Sequence, residues 1–292
     1  MQARRIGDRQ VGAVGLGAMR LSHAPDRPPP EDAVALVHAA LDAGMTVVDT
    51  ADVYCLHGDE IGHNERLVAR ALAGRPEDVL VATKGGVARP GEGWAFAGSP
   101  AHLHAAARAS ARALGVEQLD LYQLHWPDPA VPYADSVGAI AELVADGVVV
   151  RAGVSNVSCA QLAVAADVLG DALVSVQNPW SVEDRWTEDT VAAAEERGLA
   201  FLPWAPFAGL DGAGPRAVAT RAVAAELGVS AQRVALAWLL GRSPAVVPIP
   251  GARRPTSVAD SAAAAALELT AAQRSAIDDA SADPTRPTVF PH

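Results

Sequence analysis

Four side chains with complementary acid–base chemistry stand at or just after the ends of separate apolar runs. Asp49 falls in "TVVDT" (46 to 50), Tyr54 follows five residues later, Lys84 closes "DVLVATK" (78 to 84) and His125 closes "LDLYQLH" (119 to 125). A phenol of ordinary pKa, about 10, is a poor proton donor at neutral pH, but a neighbouring ammonium stabilises the phenolate and lowers that value. Tyr54 beside Lys84 is therefore expected to act as a general acid or base. A buried Lys84 would itself shed its proton unless a carboxylate such as Asp49 kept it charged. His125 would hydrogen-bond a carbonyl oxygen and turn it toward Tyr54. Such a set protonates an oxyanion while another agent delivers the nucleophile. No Ser or Cys stands in that place, which points to hydride from a nicotinamide cofactor.

Each of the four has an ordinary reading by itself. Asp49 would be a cap, Tyr54 a packing ring, Lys84 a surface charge and His125 a satisfied core histidine. Their joint placement overrides these readings, and one count reinforces it. Of the 23 basic residues only Lys84 is lysine. A chain that uses arginine everywhere else implies a site where a compact ammonium cannot be replaced by a planar guanidinium.

These residues need elements to hold them. Besides the runs above, short apolar stretches occur at 11 to 19, 148 to 156, 173 to 178, 199 to 206 and 245 to 251, making eight in all. Between them lie Ala/Leu-rich stretches with helical spacing at 31 to 43, 62 to 73, 100 to 114, 135 to 146, 158 to 169, 187 to 197 and 217 to 240. A last helix is expected at about 256 to 266, and several helices end in a Gly stop. Eight alternations of this kind imply a parallel sheet covered by helices, and 292 residues suit one closed (β/α)8 TIM barrel as a single α/β domain. An open doubly wound sheet is the other arrangement, but "GAVGLGAM" has its glycines inside the run with no helix directly after them. Gly15 and Gly17 there are expected to permit close backbone approach. Residues 1 to 10 are expected to form a hairpin with the first run and close the barrel bottom, and the Pro-rich tail from about 281 to be irregular.

In such a barrel the strand C-termini build the active face. The remaining ends carry Ser155 and Asn156, Gln177 and Asn178, Trp204, and Pro250 with Gly251. With these on the page, the whole chain resembles the aldo-keto reductase superfamily, of bacterial short-loop type. The resemblance rests on "VVDTADVY", "VATK", "LYQLHWP", "GVSN", "VQN", "LPWAPF" and "VPIPGARR" in that order. It implies a catalytic tetrad of Asp49, Tyr54, Lys84 and His125, NADP(H) as cofactor, and a small carbonyl substrate such as a pyridoxal- or sugar-like aldehyde or ketone. It implies nicotinamide contacts from Ser155, Asn156 and Gln177, a stacking ring at Trp204, and further cofactor contacts from Ala205, Pro206, Gly251 and Ala252. Arg253, Arg254, Ser257 and Ser261 would lie along the adenosine 2′-phosphate, with the two arginines supplying its counter-charge. The chain departs from the pattern at Trp204 (usually Tyr), Ala205 (Ser), Ser257 (Arg, Lys or Gln) and Ser261 (Asn). Asp260 keeps the acidic neighbour.

Other features narrow the function. A formal net charge of −11 argues against a nucleic-acid partner. The start, "MQARRIGDRQ", lacks an apolar signal region and no window reaches the length of a membrane span, so a cytoplasmic location is expected. Cys55 and Cys159 belong to no C-x-x-C pair and read as free thiols. In "HGDEIGHNE", His57, Asp59, Glu60 and His63 have neither zincin nor facial-triad spacing, so no metal is expected and the segment reads as a solvated loop. Asp52 reads as a loop cap. Trp94, Trp126, Trp180 and Trp186 fall on or near active-face loops, where wall and core roles are both open. Substrate choice is expected to rest on residues 85 to 99, 126 to 134 and 207 to 216, together with the tail from about 281. Two other functions stay open: a Schiff-base aldolase using Lys84, and a non-catalytic nucleotide-binding regulatory subunit.

Overall fold

The computed structural model describes residues 3–75 and 78–280. Its strands in chain order are β1 (Ala3–Ile6), β2 (Arg9–Gly12), β3 (Leu16–Gly17), β4 (Val47–Asp49), β5 (Leu80–Gly85), β6 (Val87–Ala88) and β7 (Ala95–Phe96). Then come β8 (Leu119–Leu124), β9 (Val149–Ser155), β10 (Leu173–Gln177) and β11 (Ala200–Phe201). Seven of them form one parallel sheet in the order β11-β10-β9-β8-β5-β4-β3. The helices are α1 (Pro30–Asp42), α2 (His63–Leu72), α3 (Pro100–Leu114), α4 (Tyr133–Ala145), α5 (Cys159–Leu169), α6 (Glu188–Glu196), α7 (Pro215–Leu227), α8 (Ala231–Leu240), α9 (Pro255–Ala263) and α10 (Ala271–Asp278).

The eighth run closes the barrel without becoming a regular strand. The Val247 and Ile249 amides donate to the Phe201 and Pro203 carbonyls, while the Pro248 and Pro250 carbonyls accept from the Gly15 and Gly17 amides. In a parallel ladder each second N–H faces the same neighbour, and on the β3 side those positions are Pro248 and Pro250, which have none. Half of that ladder is therefore absent, and only isolated bridges such as Gly17↔Gly251 remain. A Cβ on Gly17 would stand 2.6 Å from the Ile249 carbonyl, so glycine is what lets the two ends meet. The run at 199 to 206 is likewise regular only over Ala200–Phe201, because Pro203 and Pro206 interrupt it. The first run splits into the end of β2 and β3.

The amino-terminal hairpin plugs one end of the barrel. Ile6 and Val11 are buried with Val47, Leu80, Leu121 and Val174. Gly7 turns the hairpin at φ 59°, and a Cβ there would meet Val174 Cγ1 at 2.7 Å. The opposite end, where β4, β5 and β8 to β10 finish, stays available for the polar residues.

Helix boundaries follow local signals. Ser99 caps α3 by accepting from the His102 amide, with Pro100 at its first position and Gly115 at φ 69° as its stop. Ser158 and Gln161 form a capping box on α5. The single helix expected at 217 to 240 is two, because Gly228 ends α7 at φ 66° and Ser230 caps α8. α10 was not expected, although its Thr270/Gln273 capping box is written in the sequence. The tail beyond 280 lies outside the described residues. No single helix among the described residues is long and apolar enough to cross a membrane.

Candidate active site

β4, β5 and β8 bring three of the expected residues to one end of the barrel, and a tight turn brings the fourth. The Tyr54 amide donates to the Ala51 carbonyl and the Cys55 amide to the Val53 carbonyl, folding the loop after β4 back over the strand end. Tyr54 then lies against Lys84 and His125. Asp49 and Lys84 are 3% and 1% exposed, Tyr54 and His125 each 7%.

Lys84 organises the group. Its Nζ donates to the Asp49 carboxylate at 2.7 Å, to the Thr50 carbonyl at 2.8 Å and to the Tyr54 hydroxyl at 3.1 Å. An ammonium has three N–H donors, so all are used. Because Tyr54 Oη accepts from Lys84, its own hydrogen is left to donate elsewhere. Burial alone would push the Lys84 pKa down, but Asp49 and the Tyr54 oxygen more than offset this and hold the group protonated above its ordinary range. Burial pushes Asp49 up, opposed by Lys84 and by Gln177, whose Nε2 donates to Asp49 Oδ1 at 2.8 Å.

The expectation for Tyr54 needs correction. Burial raises its pKa, and the opposing charge of Lys84 does not cancel that effect, so the phenol is shifted above its ordinary value. Removing a phenolate from water outweighs one ammonium that is already shared with a carboxylate. Tyr54 is thus held as a neutral phenol. His125 is driven well below its ordinary value by burial and then by Lys84, so it is a neutral imidazole. Its ring meets Tyr54 edge-on with centroids 5.8 Å apart, and its Nδ1 has no protein partner.

Asp52 caps loop backbone, with a hydrogen bond from Val53 to its carboxylate, but it does so while enclosed. It is 4% exposed, its Oδ1 has no partner, and burial followed by the nearby Glu65 carboxyl pushes its pKa well above the ordinary carboxylate value. Glu65, 1% exposed, accepts from Thr83 Oγ1 at 2.6 Å. Both acids line a cleft of about 490 Å³ between α2 and α3, whose lining includes none of Asp49, Tyr54, Lys84 and His125. The solvated reading of "HGDEIGHNE" holds for the exposed His57 and Asp59 but not for its end, where Glu65 follows the buried Asn64. Asn64 accepts from Thr50 Oγ1 at 2.6 Å and donates to the Ala18 carbonyl and Ser22 Oγ at 2.9 and 2.7 Å, fixing the strand end that carries Asp49. Sequence reading passed over this support. Its trace was an Asn-Glu pair opening an apolar helix.

The expected cofactor positions fall in two groups. Ser155, Asn156, Gln177 and Trp204 adjoin at the ends of β9 to β11. Ser155 Oγ donates to the Gln177 carbonyl at 2.7 Å, and Asn156 Nδ2 donates to the His125 carbonyl at 2.9 Å. Asn156 Oδ1 accepts from Trp204 Nε1 at 3.1 Å, so the amide braces the rim from both ends. Asn156 and Ala205 have φ of 59° and 48°, the two non-glycine residues in the left-handed region among those described. Pro206, Ala252 and Ser261 are buried.

The second group surrounds the start of α9. Gly251, Arg253 and Arg254 are exposed, and α9 begins without a side-chain cap. Arg253 is engaged by both oxygens of Asp26 at 2.6 and 2.9 Å, whereas Arg254 forms no ion pair among the described residues. Asp260 pairs with Arg233 at 2.6 Å and with Ser230, so it joins α9 to α8. Of the four tryptophans named above, Trp180 is core at 1% exposure, packed between Phe201 and Trp238. Trp94 is 45% exposed and Trp126 half-buried at the active face.

Fold and site together define an oxidoreductase barrel. The chain belongs to the Aldo/keto reductase family, whose model matches residues 13–282. It is 33% identical over 285 residues to pyridoxine 4-dehydrogenase of Escherichia coli, spanning 94% of this chain and 96% of that protein. It is 33% identical over 249 residues to 6-dehydroglucose reductase of Novosphingobium aromaticivorans, spanning 80% and 81%. Among solved structures it resembles an aldo-keto reductase from Klebsiella pneumoniae in complex with NADPH, at TM-score 0.79 and 26% identity over 98% and 97% of the two chains.

Proposed function

We propose that this chain is an NADP(H)-dependent reductase that converts a small aldehyde or ketone to the alcohol, with Tyr54 as the proton donor. The observation that carries this reading is the use of every Lys84 donor, one of them on the Tyr54 oxygen. It leaves the phenol hydrogen free to meet a carbonyl oxygen held between Tyr54 and the neutral His125 imidazole. As negative charge develops on that oxygen, the proton moves from Tyr54 Oη and the phenolate left behind is stabilised by the adjacent ammonium. Asp49 keeps Lys84 charged throughout.

The residues present fit NADP(H). An uncapped helix N-terminus flanked by Arg253 and Arg254 has the donors and charge that a phosphate monoester requires. Trp204 offers an aromatic face beside Asn156, and Gln177 keeps its side-chain carbonyl oxygen for an amide while its Nε2 serves Asp49. When bound, NADP(H) supplies the hydride. The names of the two enzyme relatives favour pyridoxal-like and sugar-like carbonyls as first substrates. A Schiff-base role for Lys84 is disfavoured, since amine attack needs a free lone pair and this ammonium is held protonated by Asp49.

The test is a panel of aldehydes and ketones, including pyridoxal and oxidised hexoses, followed by consumption of NADPH and of NADH. Consumption of NADPH in preference to NADH, lost in Tyr54→Phe with NADPH binding intact, is the expected result. The reading fails if no carbonyl consumes either cofactor, or if the Phe variant turns over as the parent does.

A further inference from the structure

Among the described residues, one buried cation near this site has no counter-ion. Arg89, in the loop between β6 and β7, is 6% exposed, and among the described residues it forms no ion pair. Its Nη2 donates to the Cys55 and Leu56 carbonyls at 3.2 and 2.5 Å, which follow Tyr54 directly in the chain. Among the described residues its Nε and Nη1 have no hydrogen-bond partner. The adjoining Cys55 is not the missing anion, because burial pushes its thiol up and keeps it neutral. Enclosing a guanidinium with two nitrogens unpaired is costly, and a chain that tolerates such a group either gains from it elsewhere or meets its partner only when a ligand arrives.

One neighbour links Arg89 to the reacting centre. The face of the guanidinium is covered by the Trp94 indole, 4.4 Å from Cζ to the ring centroid. The same indole meets the His125 ring at 6.5 Å, nearly perpendicular, and the His23 ring at 5.1 Å. Trp94 is therefore in contact with both Arg89 and the His125 imidazole. It is also 45% exposed, so it can shift to admit a ligand without disturbing a packed core. His23 adds no negative charge to this wall. Its Nδ1 faces the Cys55 carbonyl at 3.3 Å, and burial followed by Arg89 and Arg20 keeps it neutral.

We propose that Arg89 is a specificity-determining residue: through its two unpaired nitrogens it receives an anionic substituent, carboxylate or phosphate, on a carbonyl compound whose reacting oxygen lies at Tyr54 and His125, with Trp94, which touches both Arg89 and His125, as the adjoining wall. This rests on the reductase reading for its substrate but not for its anion. A charge-assisted hydrogen bond to a desolvated guanidinium is worth about 1.5–3 kcal/mol, a factor of roughly ten to a hundred or more in kcat/KM.

Two substrate pairs test it. One is 4-carboxybenzaldehyde against its methyl ester, the other pyridoxal 5′-phosphate against pyridoxal, each with the parent, Arg89→Gln and Arg89→Lys. The parent is expected to favour the anionic member of at least one pair by about tenfold or more, which also tells carboxylate from phosphate. Arg89→Gln is expected to lose that preference through KM while the neutral member changes by less than about threefold, and Arg89→Lys to recover part of it. Equal loss on both members would assign Arg89 to holding the Cys55 and Leu56 carbonyls only, and would overturn the proposal. So would a parent with no preference in either pair, or an Arg89→Gln protein that keeps the preference. If nothing is turned over, calorimetric titration with terephthalate and with inorganic phosphate separates the two ideas. Binding that Arg89→Gln abolishes supports the anion site while the reductase reading fails; binding that is absent or unchanged in the variant overturns the site.

Discussion

Gln177 reaches Asp49 from across the barrel, its Nε2 donating to Oδ1 at 2.8 Å over 128 residues of sequence. The two residues end β10 and β4, strands that are not neighbours in the sheet, so the contact exists only because the sheet closes. It holds Asp49 Oδ1 and thereby orients the acid that keeps Lys84 charged. Gln177→Leu is expected to remove a buried hydrogen bond to a charged group, lowering stability by about 1–3 kcal/mol. Gln177→Glu is expected to be worse, and increasingly so from pH 5 to pH 8, as two buried carboxylates come to face one ammonium. Thermal unfolding of both variants at the two pH values checks this, and equal melting temperatures for parent and variants would refute it.

Asp52 makes stability depend on pH. Its pKa is raised in the fold by burial and then by Glu65. The folded state therefore binds its proton more tightly than the unfolded chain does. The stability linked to that proton is fully present below the unfolded carboxylate value and is lost as pH rises through the folded one. Asp52→Asn removes the titration, so the variant should lose less stability than the parent between pH 5 and pH 8. Glu65, raised in the same direction by burial, keeps part of the slope. Urea midpoints across that range measure it, and parallel curves would show that Asp52 does not titrate in the fold.

Arg253 and Arg254 should differ in their effect on cofactor binding. Arg253 is already paired with Asp26, while Arg254 is free of ion pairs among the described residues. Arg254→Ala is expected to weaken NADPH binding about tenfold with little change for NADH, since the loss is of a phosphate contact. Asp26→Ala frees Arg253 from an exposed ion pair worth at most about 1 kcal/mol, so NADPH should bind up to roughly fivefold more tightly. Fluorescence titration of the parent and both variants with both nucleotides gives the six constants; equal effects on NADPH and NADH would move the phosphate site elsewhere.

The amino-terminal plug should govern stability without touching turnover. Ile6 is fully buried among Val47, Leu80, Leu121 and Val174 at the end of the barrel away from Tyr54. Ile6→Ala is expected to cost about 2–5 kcal/mol of unfolding free energy. kcat at 25 °C should stay within twofold of the parent, as should KM, because no strand end on the active face is displaced.

The alternation of eight apolar runs with helical stretches determined the barrel, because a strand buried on both faces and a helix buried on one leave different periods in the sequence. Polar residues ending those runs announced the tetrad, since Asp49, Lys84 and His125 would be out of place in strands serving packing alone. Glycine and capping residues set most helix ends, and where two signals were missed, at Gly228 and Thr270, they were nonetheless present. The eighth strand was beyond that reading: Pro248 and Pro250 make an apolar run that closes a sheet with half a ladder, and only the neighbouring carbonyls and amides show how.

Charge state was decided in three dimensions. Whether Tyr54 is lowered by Lys84 or raised by burial depends on the balance of desolvation and pairing, and neither is a property of sequence spacing. The same holds for Asp52, which looks like any loop acid until α2 and α3 enclose it, and for Arg89, whose missing counter-ion appears only when the loops around it are folded. Sequence specifies which groups exist and on which elements they ride; packing sets the dielectric around them and the partners within reach, and these determine where the protons sit.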